Sequence, residues 1–97
     1  TEVENTIYQL KNVLECAVIG IPDEKWGEAV HAIIRLKDNT SIEENEVIDH
    51  CHKNIAGFKC PKSVSFRNEP MPVSGAGKIL KTELRKPFWK DQNKQVN

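Results

Sequence analysis

No run of about eighteen apolar residues occurs in this chain, so no membrane-spanning helix is expected. Net charge is missing too. Lys+Arg and Asp+Glu number 14 each, and the total gives no steer toward nucleic acid or an anionic membrane. Cys16, Cys51 and Cys60 are an odd count with no framework spacing, which favours a reducing, cytoplasmic setting over a disulfide-stapled one. The N-terminus is polar and amphipathic and lacks the shape of a signal peptide. Internal repeats and low-complexity segments are absent. Thr1 opens almost directly into a helical pattern without a Met, so the front of the chain is expected to be a cut end. What remains is 97 residues, enough for one small domain whose core is marginal without help.

Hydrophobic periodicity orders the elements. Val3, Ile7, Leu10 and Leu14 step by helical intervals. Cys16 to Ile21 is a short run rich in β-branched residues that stops at the turn pair Pro22-Asp23. Ala29 to Leu36 reads as a second strand. Ser41 with Glu44 has the spacing of a capping box, and Val47, Ile48, Cys51 and Ile55 form the buried stripe of the helix it would start, which Gly57 would end. Ser63 to Phe66 reads as a strand. Val73 and Ile79 flank a hairpin around Gly75 to Gly77, and Thr82 caps a last helix running toward Trp89. The expected architecture is α+β: a small three-stranded sheet with flanking helices, plus a β-hairpin carrying a lysine loop. Residues 1–90 make the domain and 91–97 a polar tail.

Four stretches invite chemistry. His50, Cys51, His52 and Cys60 suggest zinc, but successive helical side chains point about 100° apart and cannot converge on one ion. No metal is expected, and His31 reads as an ordinary surface or sheet residue. Trp26-Gly27-Glu28 reads as a loop in which Gly27 supplies an unusual backbone angle and Trp26 packs over an edge. Phe58-Lys59-Cys60-Pro61-Lys62 has two readings. Phe58 is either core beside solvated lysines, or an aromatic that stacks a base while the lysines hold phosphates. The fourth stretch is Pro72 to Lys86, PVSGAGKILKTELRK. It fails as a Walker loop, because Pro72 stands where the first glycine belongs and Ile79 where a Ser or Thr belongs. Glycines before Lys78 would let its loop approach a ligand closely, and a lysine suits a single phosphate or carboxylate oxygen. The basic residues Lys78, Lys81, Arg85, Lys86, Lys90 and Lys94 outnumber Glu83 and Asp91 in this part of the chain.

Taken in order, these stretches resemble the C-terminal domain of the adenylate-forming enzymes, the superfamily of acyl-CoA synthetases, luciferases and peptide-synthetase adenylation domains. The pattern runs through Pro22, Asp23, Gly27 and Glu28, then Phe58, Lys59, Pro61 and Lys62, then Pro72, Ser74, Ala76, Gly77, Lys78 and Ile79, and into the basic segment Thr82 to Lys86. The ending is most similar to bacterial fatty-acyl-CoA ligases. The resemblance implies that Lys78 is catalytic, bridging the attacking carboxylate and the α-phosphate of ATP during adenylation, with Gly75 and Gly77 allowing the loop to insert. It implies that Phe58, Lys59 and Lys62 belong to a CoA-binding face presented after the domain rotates. Cys60 stands where some relatives carry an arginine, and Ser74 and Ala76 replace the usual Thr and Ser.

ATP and CoA would be the substrates beside a fatty acid or other carboxylate, with Mg2+ expected in a large N-terminal domain that this chain lacks. The chain is therefore expected to be inactive alone. Two alternatives remain: an adenylation domain serving a carrier protein, and a stand-alone module binding a phosphorylated or nucleic-acid partner.

Overall fold

Hydrogen-bond geometry sets the sheet. In the computed structural model, which describes the backbone of residues 1–96 and the side chains of residues 1–90, β1 (Val13–Asp23) and β2 (Gly27–Leu36) pair antiparallel across a tight turn. β3 (Ser63–Phe66) lies parallel to β2 on its other side, with His31 beside Ser63 and Ile34 beside Phe66. A parallel neighbour needs a long crossover, and α2 (Glu44–Asn54) with its flanking loops supplies it. α1 (Glu2–Tyr8) precedes the sheet and α3 (Lys81–Val96) follows it. The architecture is the expected α+β sheet with flanking helices, and a single bridge between Val73 and Ile79 closes the hairpin.

Strand alternation splits the core in two. Cys16, Ala32 and Ile34 face α1 and α2, where they meet Ile7, Val47, Cys51 and Cys60. Ala17, Ile19 and Ile33 face the other way and pack against Met71 and Leu84, with Ile21, Ile79 and Phe88 around them. Full burial of an Ile or Val side chain contributes about 1.5–3 kcal/mol, so each helix layer is held mainly by its few apolar contacts with the sheet.

The outer edge of β1 is covered by side chains. The Cys16 N–H donates to the Tyr8 hydroxyl at 2.9 Å, and the Val18 N–H to Glu4 Oε2 at 2.8 Å. The Gly20 carbonyl accepts from Trp89 Nε1 at 2.8 Å. An unpaired strand edge is a template for aggregation, and here α1 and α3 both close it. On the opposite edge Glu44 Oε2 accepts the Val64 N–H at 2.6 Å.

Several local expectations shift. α1 ends at Tyr8, and Leu14 lies in β1 with its side chain exposed, because pairing with Leu36 draws the segment from Val13 onward into the sheet. β1 runs through Pro22 to Asp23, as an edge strand tolerates proline. The turn comes later, where Asp23 Oδ1 accepts the Lys25 N–H at 2.8 Å and Gly27 takes φ +80°. Ser41 does not cap α2. Its carbonyl is held by Asn12 Nδ2 at 2.9 Å, Glu44 is committed to Val64, and the helix starts after Glu43. α2 stops at Asn54 with Ile55 extended, so Gly57 opens a short 3-10 turn (Gly57–Lys59) instead of capping a helix. Thr82 lies inside α3, whose first turn is closed on the Leu80 carbonyl by the Glu83 and Leu84 N–H groups. The side chains of the expected tail, 91–97, lie outside the described residues.

Candidate functional site

Lys78 sits on a tight turn whose hydrogen bonds define it. The Gly77 N–H donates to the Ser74 carbonyl at 2.9 Å, and the Ser74 N–H to the Lys78 carbonyl at 2.8 Å. This pair of bonds is that of a three-residue hairpin loop closed by a left-handed residue. Gly77 is that residue, with φ +83°. Gly75 needs no such angle, and a Cβ there would meet nothing. Ser74 occupies the turn's first position, where a short polar side chain is favoured, and its Oγ accepts the Lys78 N–H at 3.3 Å. The Ser74 hydroxyl contact has no counterpart in the sequence reading, where Ser at the head of a Gly-Ala-Gly turn is the signal that could have found it. Below the turn the Leu80 N–H donates to the Pro72 carbonyl at 2.8 Å, and Ile79 packs on the α3 side of the sheet. Lys78 itself is exposed, and among the described residues its ammonium has no hydrogen-bond or ion-pair partner.

The second candidate stretch forms the connection from α2 to β3. Cys60 and Pro61 are buried, with the Cys60 thiol donating to the Ala56 carbonyl at 3.5 Å. Around this anchor the other side chains are displayed. Phe58 is 83% exposed, which removes the reading of it as a core residue. Lys59 Nζ pairs with Glu2 Oε1 at 2.7 Å and lies 5.8 Å from the centre of the Phe58 ring. Lys62 is exposed without a partner among the described residues, while its N–H is fixed on the Val30 carbonyl at 2.8 Å. Of the two lysines, only Lys62 has a charge free for a ligand.

The two loops are not brought together. No hydrogen bond, ion pair or cation–π contact among the described residues joins them. Cys60 belongs to the core on the α1–α2 face of the sheet, and Ile79 to the core on the α3 face. They are rooted on opposite sides of one sheet.

The three cysteines and the histidines His31 and His50 are structural. Burial pushes the Cys16 thiol up to about 12 and Cys51 to about 11, and raises Cys60 as well, so none of the three supplies a thiolate near neutral pH. Cys51 and Cys60 are core residues, and His50 Nε2 lies 3.0 Å from the Thr6 carbonyl and 3.1 Å from Gln9 Oε1. His31 is a correction. It is buried, with Nδ1 2.7 Å from Ser63 Oγ, Nε2 2.9 Å from Ser65 Oγ and its ring 4.9 Å from that of Phe88. Desolvation lowers its pKa, only partly offset by the nearby Glu44. Parallel pairing of β3 beside β2 creates this environment, which strand patterning alone does not reveal. Trp26 is also corrected. It is 65% exposed, with Lys25 Nζ 5.1 Å above its ring, and packs over no edge. In the basic run after Lys78, Lys81 pairs with Glu4 at 2.8 Å, Lys86 makes an exposed pair with Glu83 at 3.1 Å, and the Arg85 guanidinium, whose buried Nε has no hydrogen-bond partner among the described residues, lies 5.4 Å from the centre of the Trp89 ring.

The fold is shared with known proteins. Residues 2–78 match the family described as "AMP-binding enzyme C-terminal domain". A feruloyl-CoA synthase from an Amycolatopsis species is 44% identical over 87 residues, 90% of this chain and 18% of that protein. The long-chain-fatty-acid–CoA ligase FadD13 of Mycobacterium tuberculosis is 42% identical over 87 residues, again 90% of this chain and 17% of that protein. The solved Mycobacterium tuberculosis fatty acyl CoA synthetase superposes with a TM-score of 0.80 at 42% identity, over 90% of this chain and 17% of its own. The chain thus spans under a fifth of the length of these relatives.

Proposed function

Since the chain belongs to the AMP-binding enzyme C-terminal domain family, we propose that it serves as the mobile C-terminal domain of an ATP-dependent acyl-CoA ligase, with a large adenylate-forming domain as its partner. In the first half-reaction a carboxylate oxygen attacks the α-phosphorus of ATP and pyrophosphate leaves. Negative charge grows on the phosphoryl oxygens, and the Lys78 ammonium, carried in by the Gly75–Gly77 turn, stabilises it and aligns the carboxylate. In the second, the CoA thiol attacks the acyl carbonyl, AMP leaves and a thioester forms. Phe58 stacks on the CoA adenine and Lys62 meets a phosphate, while Lys59 contributes less because Glu2 already holds it.

One observation carries this reading: a lysine on a tight hairpin and an exposed aromatic beside a second lysine, both lysines without a partner among the described residues, are rooted on opposite faces of one sheet. A domain with two tasks needs two such faces. Mg2+, required with ATP, would be held by the large domain and by none of the residues described here. A fatty acid or another carboxylate is the acyl substrate, and a reducing cytoplasm suits three unpaired cysteines. The pairing of Lys81 with the half-buried Glu4 takes one cation out of the basic run and weighs against a nucleic-acid-binding module.

The test is a graft. This chain replaces the matching segment of the Mycobacterium tuberculosis fatty acyl CoA synthetase, and the chimera is assayed with fatty acid, ATP and CoA. It is expected to form acyl-CoA, while the fragment alone releases no pyrophosphate. A soluble chimera without activity would contradict the proposal. Adenylation followed by transfer to a carrier protein, but not to CoA, would move it to the carrier-protein alternative.

A further inference from the structure

We propose that Glu4 and Lys81, from opposite ends of the chain, act as positioning residues that set the reach of the Lys78 hairpin during adenylation. The proposal rests on the ligase reading above. Lys81 is the first residue of α3 and lies three residues past Lys78. Its ammonium is 2.8 Å from Glu4 Oε2, and the same oxygen accepts the Val18 N–H at 2.8 Å. The Glu4 side chain is only 14% exposed, so the contact is no loose surface pair. One carboxylate thereby ties three elements: α1 on one face, the edge of β1, and the start of α3 on the other face.

What this tie holds is the exit of the hairpin. Between Val73 and Ile79 the turn has no buried side chain. Its orientation depends on its base, where Met71 and Ile79 pack on the sheet, the Met71 N–H donates to Glu15 Oε2 at 3.2 Å, the Leu80 N–H donates to the Pro72 carbonyl, and Lys81 pairs with Glu4. The backbone bond closes the loop on itself and does not connect it to the sheet. The Met71 contacts fix the entry to the hairpin, and the ion pair is the tie on its exit side that reaches α1 and the edge of β1. A lysine side chain has enough rotamers to reach many positions, so its useful geometry comes from where its backbone is held.

The Glu4 carboxylate is kept ionised in the fold. Burial would raise its pKa, but the hydrogen bonds from Lys81 and the Val18 N–H outweigh that and lower it. Removing the Lys81 ammonium leaves Glu4 bonded to Val18, so β1 and α1 stay joined, and Leu84, Phe88 and Trp89 still hold α3 on the sheet while its first turn loses its tie to α1. The consequence is local to the hairpin and α3.

The experiment uses the chimera with the Mycobacterium tuberculosis synthetase and measures the two half-reactions separately. Lys81→Met is expected to slow pyrophosphate release by roughly 10–100-fold, since a misplacement of about 1 Å can cost that much. The fall should be in kcat with KM for ATP unchanged, and thioester formation from preformed acyl-adenylate should hold within about twofold of the parent chimera. Lys81→Arg should restore most of the adenylation rate, because a longer cation can still reach Glu4. Glu4→Gln should reproduce the loss, and adding it to Lys81→Met should cost little more, as coupled partners are not additive. Lys37→Ala, a change of equal charge in an exposed loop, should change neither half-reaction. Equal losses in both half-reactions, or a Lys81→Met chimera with normal adenylation, would overturn the proposal. An inactive parent chimera would instead contradict the ligase reading on which it stands.

Discussion

The hairpin of Lys78 and the loop of Phe58 present charge in opposite ways. The Lys78 turn is made mainly of backbone bonds, carries no buried residue between Val73 and Ile79, and exposes a single cation that has no partner among the described residues. The Phe58 loop is built around the buried Cys60 and Pro61, and it displays an aromatic ring with one lysine paired and one free. A projecting finger suits a group that must enter another domain's active site. A platform fixed to the core suits a flat ligand that comes to it. The same sheet serves both because strand alternation gives it two independent cores, and each loop is rooted in a different one.

The comparison breaks most easily at Lys78. In the chimera Lys78→Ala should lower the rate of pyrophosphate release by roughly 10²–10³, the scale of about 2.7–4 kcal/mol for a donor acting on transition-state charge. ATP binding, measured by titration, should barely change, since the large domain holds the nucleotide. A loss below tenfold would make the finger dispensable.

Phe58→Ala tests the platform. Loss of stacking worth about 1–3 kcal/mol should raise KM for CoA while adenylation continues at its normal rate. With 83% of the side chain exposed, the melting temperature should not move. Destabilisation would return Phe58 to a packing role.

The glycines sharpen the contrast within the hairpin. Gly77→Ala forces an L-residue to the left-handed angle that Gly77 holds at φ +83°, at a cost of about 1–2 kcal/mol. Gly75→Ala meets no atom of this domain and should leave its stability unchanged. If Gly75→Ala nevertheless slows adenylation in the chimera, the missing side chain serves the approach to the large domain. If Gly77→Ala is tolerated in both respects, the turn is not what places Lys78.

The smallest effect is expected from the sheet between the loops. His31 has its pKa lowered by burial, so the unfolded chain takes up the proton more readily than the folded one. Its contribution is present in full well above its ordinary value of about 6.5. It is lost as pH falls through that value toward the lowered one. Thermal melts should therefore show stability falling as pH drops from 7 to 5, and His31→Gln should flatten that slope. A slope unchanged by the substitution would assign the pH response to other groups.

Much of this was legible in the sequence because it is local. The β-branched runs gave the strands, and the stripe through Val47 and Cys51 gave α2. Val73 and Ile79 around a glycine-rich turn gave the hairpin, with Gly27 and Gly77 both at the positive φ that glycine permits. Several of the misreadings are tertiary. Leu14 fits the spacing of α1, but its segment is claimed by Leu36. Ser41 and Glu44 have the spacing of a cap, but Asn12 and Val64 take them. His31 is buried only because β3 returns parallel beside β2. The sequence marked Lys81 as one basic residue among several, and nothing in its surroundings announces Glu4 as its partner. Interactions between distant residues leave no periodic trace, and they decide which of several lysines is free.

The most direct test of the two-face account supplies preformed acyl-adenylate and CoA to the Lys78→Ala chimera and follows thioester formation. A finger used only for adenylation has withdrawn by then, so the rate should match that of the parent chimera even though pyrophosphate release is crippled. A loss as large as that in adenylation would show that both half-reactions use the same face, and the division of labour between the two loops would be wrong.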